Sequence, residues 1–135
     1  MVGILLLTHA PLGNAFIEAA THVFRGRPEN IEALDVKADQ DTSEVKRLAG
    51  EAITRLDQGQ GVLVITDVMG GTPSNCTLPL AQPGSVEIIA GISLPMLLRA
   101  LTYRHDTLDV VVEMALAGGQ GGVVRVDNRV RLSPN

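Results

Sequence analysis

VGILLLTHAPLG, residues 2–13, begins as a continuous apolar run and then changes abruptly to a histidine, a proline and a glycine. A short uninterrupted run of apolar residues is typical of a strand that is covered on both faces. Neither a buried strand nor a plain turn needs a histidine at its exit. A second stretch, GVLVITDVMGGTPSN (61–75), has the same plan, because its apolar run ends at Asp67 and a glycine pair follows. The two stretches raise the hypothesis that His9 and Asp67 belong to one site.

Strand and helix patterns alternate along the rest of the chain. Apolar runs predict two more strands, and apolar residues at helical spacing predict the helices between them. The further strands are NIEALDV (30–36) and VEIIAGI (86–92), the helices cover residues 11–26, 41–59, 74–81, 95–104 and 107–117, and VVRV (123–126) predicts a last short strand after GGQGG (118–122). The first helix is expected to bury a face made of Leu12, Phe16, Ala19 and Val23, and the second a face made of Val45, Leu48, Ala52 and Leu56.

This alternation predicts the fold class. Strands that alternate with helices form βαβ units, which predict an α/β domain with a doubly wound, mostly parallel sheet. In such sheets ligands bind outside the carboxyl ends of the strands, where the strand order reverses. His9 ends the first strand and Asp67 ends the third. If the second strand lies on the far side of the first, strands one and three are neighbours and the two side chains meet.

Composition limits the classes of protein and of partner. A chain of 135 residues has the size of one domain, and its 45% of apolar residues supports a buried core. The net charge is −4, and the basic residues are scattered as far as RVDNRVR (125–131), which argues against nucleic acid as a partner. With two Phe, one Tyr and no Trp, the chain has few rings to stack on bases or flavins.

The single cysteine and the N-terminus bear on the cellular compartment. Cys76 allows no internal disulfide or thiolate metal cluster, and we expect it to be a small buried side chain. The N-terminus has no signal-peptide pattern, and no apolar run reaches the ~18 residues of a membrane span. We therefore expect a soluble, cytoplasmic protein without direct membrane insertion.

An imidazole beside a carboxylate is suited to a limited set of reactions. The carboxylate accepts the N–H of one ring nitrogen, fixes the tautomer, and leaves a lone pair on the other nitrogen. That second nitrogen of His9 can act as a base or as a nucleophile, and Asp67 stabilises the cation that forms if it carries a transferred group. No serine or cysteine nucleophile is evident in the motif loops. The sequence has no HExxH, no second histidine at ligand spacing and no CxxC, so a zinc site is not expected.

The glycine loop after Asp67 offers groups that bind anions. Gly70 and Gly71 can fold so that successive amides point inward. Thr72 supplies a hydroxyl, and Pro73 suits the first turn of a helix. The loop lacks the lysine of a nucleotide-binding P-loop. A histidine that faces an anion cradle suggests phosphohistidine chemistry.

Three separated motifs carry a family resemblance. The dipeptide TH (8–9) after the first strand, TDVMGGTPSN (66–75) after the third and IIAGISLPML (88–97) resemble enzyme IIA of the mannose type in the bacterial phosphoenolpyruvate:sugar phosphotransferase system. The resemblance runs from residue 1 to about residue 126, which we take as the carrier domain, with 127–135 as a polar tail that leads to no fused IIB domain. It implies that the last strand is antiparallel and exchanged across a homodimer, although the sequence alone equally allows VVRV (123–126) to close its own sheet.

The resemblance also implies a role for each site residue. His9 is the phosphoryl acceptor, and it takes the group from the histidine-containing phosphocarrier protein and passes it to a IIB component or a regulatory target. Asp67 orients the imidazole, and the phosphate site is lined by Gly70, Gly71 and Thr72. Because the donor is already activated, no metal and no other cofactor is implied. Met69 departs from the tryptophan of the enteric member, which affects the expected partner surface rather than the chemistry.

Three other functions remain open on the sequence. One is the phosphoryl-transfer subunit of a dihydroxyacetone kinase, whose first domain is related to the mannose type. Another is a flavodoxin-like module that binds a nucleotide or flavin without chemistry, and a third is a dimer that acts only as a scaffold.

Several chemically capable residues are expected to be structural. We interpret His22 as a boundary residue of the first helix and His105 as part of a helix junction that Asp106 or Thr107 caps. Asp39 and Asp41 are interpreted as loop and cap residues rather than metal ligands. LPMLLRAL (94–101) is interpreted as a helix that packs in the core or against another subunit.

Overall fold

The computed structural model describes residues 1–127, which fold into a four-stranded sheet with helices on both faces. The strands are β1 (Gly3–His9), β2 (Ile31–Val36), β3 (Val62–Thr66) and β4 (Val86–Ala90), and the α-helices are α1 (Leu12–Phe24), α2 (Thr42–Leu56), α3 (Thr72–Thr77), α4 (Leu94–Tyr103) and α5 (Leu108–Gly121). A short 3₁₀-helix, Leu78–Leu80, follows α3. The strands predicted at residues 2–92 are confirmed, with bounds that differ by at most two residues.

The strand order brings the first and third strands together. The order is β2-β1-β3-β4, and every pair of neighbours is parallel. Leu7 of β1 is in register with Thr66 of β3, so His9 and Asp67 leave the same edge of the sheet side by side. The chain steps from β1 to β2 on one side and continues at β3 on the other. The point where the strand order reverses is therefore between β1 and β3. The condition under which His9 and Asp67 were expected to meet, with the second strand on the far side of the first, is met.

Two apolar cores cover the two faces of the sheet. Side chains of β1 alternate between them, because successive residues of a strand point to opposite faces. Ile4 and Leu6 pack with α1, α4 and α5, whereas Leu5 and Leu7 pack with α2 and α3. Buried Met96, Leu97, Ala100 and Leu101 place α4 in the first core, which confirms the core interpretation of LPMLLRAL.

The buried face of α1 differs from the prediction. Gly13, Ile17 and Ala20 are the buried residues of this helix, while Leu12 and Val23 are exposed. The true face is rotated by one residue because α1 packs onto β2 through Gly13, which brings the helix too close to the strand for a larger side chain. The face predicted for α2 is nearly right, with Ala49 buried in place of the half-buried Leu48.

Helix α5 runs further than predicted, through most of GGQGG. A Cβ on Gly118 would lie 2.6 Å from Cγ of Arg99 and 2.8 Å from the carbonyl oxygen of Pro95, both on α4. The glycines therefore let two helices approach closely, and this packing extends α5 to Gly121 in spite of the low helix propensity of glycine.

The strand predicted at residues 123–126 is not formed within the single chain. These residues have no regular secondary structure, and Val123, Val124 and Val126 are 87%, 58% and 76% exposed. The predicted polar tail lies outside the described residues from position 128 onward.

Candidate functional site

His9 and Asp67 are in direct contact at the carboxyl edge of the sheet. Nδ1 of the His9 ring lies 2.8 Å from Oδ2 of Asp67, and the backbone N–H of His9 donates to the same oxygen at 3.1 Å. The other carboxylate oxygen accepts the backbone N–H of Val68 at 2.9 Å. One carboxylate thus fixes both the ring and the backbone of His9.

The charge of Asp67 decides which ring nitrogen carries the proton. Burial by itself would raise the pKa of this carboxyl, but hydrogen bonds from the His9 ring and from the backbone of His9 and Val68 outweigh burial and hold that pKa below its usual range. An ionised carboxylate can only accept, so Nδ1 of His9 donates its N–H. Nε2 then keeps the free lone pair of the neutral ring.

The two partners differ sharply in exposure. The side chain of Asp67 is only 6% exposed, whereas that of His9 is 52% exposed. The carboxylate that holds the ring is therefore shielded from solvent, whereas the ring itself is accessible to a molecule that approaches from solvent. This arrangement suits a nucleophile that another macromolecule must reach.

Gly71, the second residue of the glycine pair, lies against the ring of His9. A Cβ on Gly71 would lie 3.2 Å from Cε1 and 3.7 Å from Nε2 of His9. Gly70 has φ of 88°, a left-handed conformation that glycine adopts without strain. Its carbonyl accepts from the side-chain amide of Asn75 at 3.3 Å, which holds the loop to α3.

Helix α3 begins directly after this pair. Gly71 is its N-cap, Thr72 is its exposed first residue, and Pro73 follows. The first N–H groups of a helix have no acceptor inside the helix. At α3 the N–H of Gly71 donates to the carbonyl of Val68 at 3.4 Å and Pro73 has no N–H, so the N–H of Thr72 is the first that remains available to an anion. The structure thus brings Gly71 and the start of α3 close to His9. Gly70 shapes the turn that leads from Asp67 to Gly71.

One residue near the site was missed by the sequence interpretation. Asp35, at the carboxyl end of β2, accepts the backbone N–H of Gly13 at 3.0 Å and the side-chain amide of Asn14 at 2.8 Å. Gly13 is buried in contact with this carboxylate. The available signal was an aspartate at the end of an apolar strand, the same feature that identified Asp67.

Three exposed apolar side chains follow the two site residues closely in the sequence. Leu12 lies three residues after His9, and Val68 and Met69 follow Asp67 directly. All three are exposed, and Met69 is 83% exposed. Large apolar side chains beside a polar site are typical of protein-binding surfaces.

The other candidates lie away from this site. His22 is exposed on α1, and His105 is exposed between α4 and α5, where the hydroxyl of Thr107 caps α5. Asp41 caps α2 by accepting the N–H of Ser43, as predicted, and Cys76 is buried.

Residues 1–127 contain neither a cluster of metal-ligating side chains nor a membrane-spanning helix. This part of the chain contains no group of three or more His, Cys, Asp or Glu side chains that could hold a metal ion. In the same range no helix has both the length and the apolar character required to cross a membrane.

Known proteins share both the sequence pattern and the fold. A family model described as the PTS system fructose IIA component, EIIA-man, matches residues 3–116. The PTS system mannose-specific EIIAB component of Escherichia coli (strain K12) is 27% identical over 90% of this chain, which spans only 38% of that protein. The PTS system sorbose-specific EIIA component of Lacticaseibacillus casei is 30% identical over 76% of this chain and 74% of that protein.

A solved structure agrees with this assignment at the level of fold. The phosphotransferase system component EIIA from Streptococcus agalactiae superposes with a TM-score of 0.82 over 93% of this chain and 97% of its own, at 21% identity. The family model covers most of the chain, and the relatives and the shared fold agree with it. The chain therefore belongs to the EIIA-man family, the mannose type of phosphotransferase-system IIA components.

Proposed function

We propose that this protein is a phosphoryl carrier of a phosphotransferase system and that its domain, residues 1–126, receives the phosphoryl group on Nε2 of His9. The observation that carries the proposal is the 2.8 Å contact between Nδ1 of His9 and Oδ2 of Asp67, on a ring whose other nitrogen lies beside Gly71. Family membership supports a transferase role of this kind.

The transfer is a single displacement at phosphorus. The lone pair on Nε2 of His9 attacks the phosphorus of a donor phosphohistidine, and the N–P bond of the donor breaks with its electron pair returning to the donor ring. The proton on Nδ1 of His9 stays in place, so the phosphorylated ring is cationic. Asp67 stabilises that cation, because its carboxylate already accepts from Nδ1.

Backbone amides hold the charge of the moving group. The oxygens of the phosphoryl group point toward Gly70, Gly71 and the first N–H groups of α3, with the hydroxyl of Thr72 at its exposed start. Such preorganised donors stabilise charge that develops during transfer and need no metal ion. The reaction requires no cofactor, because the donor phosphohistidine is itself activated.

The partners are proteins of a phosphoryl relay. The donor is the histidine-containing phosphocarrier protein, and the acceptor is a IIB component or a regulatory target in the cytoplasm. The exposed ring of His9 and the apolar side chains of Leu12, Val68 and Met69 offer a surface on which each partner docks in turn. The name of the mannose-specific EIIAB relative supports a IIB acceptor.

The working molecule is a homodimer. Residues 123–126 leave the end of α5 as an exposed, valine-rich segment, and β4 is an edge of the described sheet. An edge strand offers unpaired backbone groups to another strand. In the dimer this segment forms an antiparallel strand on the sheet of the second copy.

Incubation with a complete relay tests the proposal. The protein is mixed with phosphoenolpyruvate, enzyme I and the phosphocarrier protein, and its intact mass is measured at neutral pH and after acid treatment. We expect an acid-labile gain of one phosphoryl group in the parent and none in His9→Ala. His22→Ala and His105→Ala are matched controls and should gain the group like the parent, whereas a gain retained by His9→Ala contradicts the proposal.

A further inference from the structure

We propose that Asp35 is a positioning residue for phosphoryl transfer: it fixes the segment that joins His9 to α1 and thereby holds the imidazole in line with its donor. The inference rests on the proposed function. Asp35 has no contact with the ring, so its effect passes through the backbone on either side of His9. Asp67 and Asp35 then act as a pair, one on the ring and one on the segment that follows it.

Asp35 contacts the histidine segment from both ends. Its Oδ1 accepts the backbone N–H of Gly13 at 3.0 Å, and its Oδ2 accepts the side-chain amide of Asn14 at 2.8 Å. The hydroxyl of Thr8 lies 3.4 Å from the same Oδ1 and 3.2 Å from the carbonyl oxygen of His9. The carboxylate therefore binds the residue before His9 and the first turn of the helix after it.

Helix α1 lacks a cap of its own. Its N-cap residue is Pro11, which makes no side-chain capping bond, and no acidic residue occupies its first turn. Helices α2 and α5, by contrast, are capped by Asp41 and Thr107 from their own chain segments. Asp35 supplies the missing carboxylate from the neighbouring strand, where it satisfies an N–H at the positive end of the helix.

The packing around Gly13 is built for this contact. A Cβ on Gly13 would lie 2.7 Å from Oδ1 of Asp35, 3.0 Å from Cβ of Ala33 and 3.2 Å from Oγ1 of Thr8. Gly13 does not have a left-handed backbone, so the space rather than the conformation requires glycine here. The helix start is thus brought as close to β2 as its backbone allows.

The connection to His9 is short. Residues 10–12 alone separate His9 from Gly13, and the backbone N–H of Ala10 donates to the carbonyl of Val36 at 3.0 Å. Strand β2 therefore holds this segment at Ala10 and at Gly13, while Asp67 after β3 holds the histidine itself. If the Asp35 contact is lost, one of these restraints disappears and the ring loses alignment, to which group transfer is sensitive.

Three variants test the inference. For each, we measure the rate at which the phosphorylated phosphocarrier protein transfers its phosphoryl group to the variant. Asp35→Ala removes the carboxylate, and Asp35→Asn keeps an oxygen that can accept from Gly13. Asp57→Ala is the matched control, because Asp57 accepts the N–H groups of Gly59 and Gly61 in a loop at the opposite edge of the sheet. The rate is measured against phosphocarrier concentration, and the His9 ring signals are followed by ¹⁵N NMR.

We expect Asp35→Ala to lower the saturating rate by about 10-fold to 100-fold. The phosphocarrier concentration at half-maximal rate should stay near that of the parent, and the Nδ1–H signal of His9 should shift or broaden. Asp35→Asn should recover most of the rate, and Asp57→Ala should match the parent in rate and in ring signals.

Two results overturn the inference while the proposed function stands. One is a parent-like saturating rate in Asp35→Ala, and the other is an equal loss in Asp35→Ala and Asp57→Ala, which would reflect general destabilisation. A parent protein that takes no phosphoryl group contradicts the proposed function itself and the role of Asp35 with it.

Discussion

At the scale of single residues, the contact of Asp67 with Nδ1 of His9 determines which ring nitrogen is free to react. The carboxylate holds Nδ1 at 2.8 Å, so Nε2 is the ring nitrogen that keeps a free lone pair. The sequence predicted that these two residues meet, because both follow apolar strands and strand order could make them neighbours. It could not predict that the same oxygen of Asp67 also accepts the backbone N–H of His9, since that contact depends on the exact register of β1 and β3.

Substitution of Asp67 by asparagine should change how stability depends on pH. The pKa of Asp67 is depressed in the folded protein, so its contribution to stability is complete above the unfolded value of ~3.9 and is lost as the pH falls through the folded pKa. We expect the difference in the free energy of unfolding between the parent and Asp67→Asn to narrow as the pH falls from about 5 through the depressed folded pKa of Asp67. Urea unfolding across that range measures it, and a constant difference contradicts the assigned hydrogen bonds.

The glycine pair should respond to alanine in two different ways. At Gly71 the backbone accepts alanine, but the added Cβ lies 3.2 Å from the ring of His9 and must displace it. We expect Gly71→Ala to slow phosphorylation of His9 by about 10-fold or more, with little change in melting temperature.

Gly70→Ala is the contrasting variant. Nothing lies within 4 Å of a Cβ at Gly70, but its φ of 88° strains any other residue. We expect a loss of about 1 kcal/mol or more in the free energy of unfolding.

Equal transfer rates in the parent and Gly71→Ala would show that Gly71 does not border the reacting nitrogen.

At the scale of elements, apolar patterns predicted the strands and most helices, but they did not predict close contacts. The prediction of the buried face of α1 was wrong because Gly13, which has no apolar side chain, is the point of closest packing between α1 and β2. The predicted end of α5 was wrong for the same reason. Gly118 permits a close contact between α5 and α4, and this contact outweighs the poor helix propensity of glycine. Periodicity reports which side chains are apolar, whereas these glycines act through the absence of a side chain.

Two glycine substitutions separate packing from helix propensity. Gly13→Ala places a Cβ 2.7 Å from Asp35, so we expect it to destabilise the fold by about 1–3 kcal/mol. Gly50→Ala, inside α2 with no atom within 4 Å of the new Cβ, should stabilise the fold by about 0.4–1 kcal/mol. Urea unfolding measures both, and a neutral Gly13→Ala contradicts the tight contact between α1 and β2.

At the scale of the whole molecule, the order of strands and helices was enough to place the site at the edge where the strand order reverses. The sequence alone did not predict Asp35 as part of that site, because its contact with Gly13 arises from the packing of α1 on β2. Within the part of the single chain that the structure describes, residues 123–126 do not pair with any strand of the sheet. The valines of this segment are exposed in the single chain, and in the proposed homodimer they pack against the second copy.

Charged substitutions in this segment test the assembly. We expect the parent to sediment as a dimer, and the double variant Val124→Asp with Val126→Asp to shift toward the monomer because charge opposes burial of the exchanged strand. Val23→Asp adds a charge at an exposed valine of α1 and serves as the control, which should remain dimeric. A parent that sediments as a monomer at all concentrations contradicts the homodimer.

The bonding of phosphorus in the phosphorylated protein tests the central claim most directly. The protein is labelled with ¹⁵N in its histidine rings, phosphorylated through the relay, and analysed by ³¹P and ¹⁵N NMR. We expect one phosphohistidine, at His9, with phosphorus coupled to Nε2 and a proton retained on Nδ1 against Asp67. Phosphorus coupled to Nδ1, or to a ring other than His9, would contradict it.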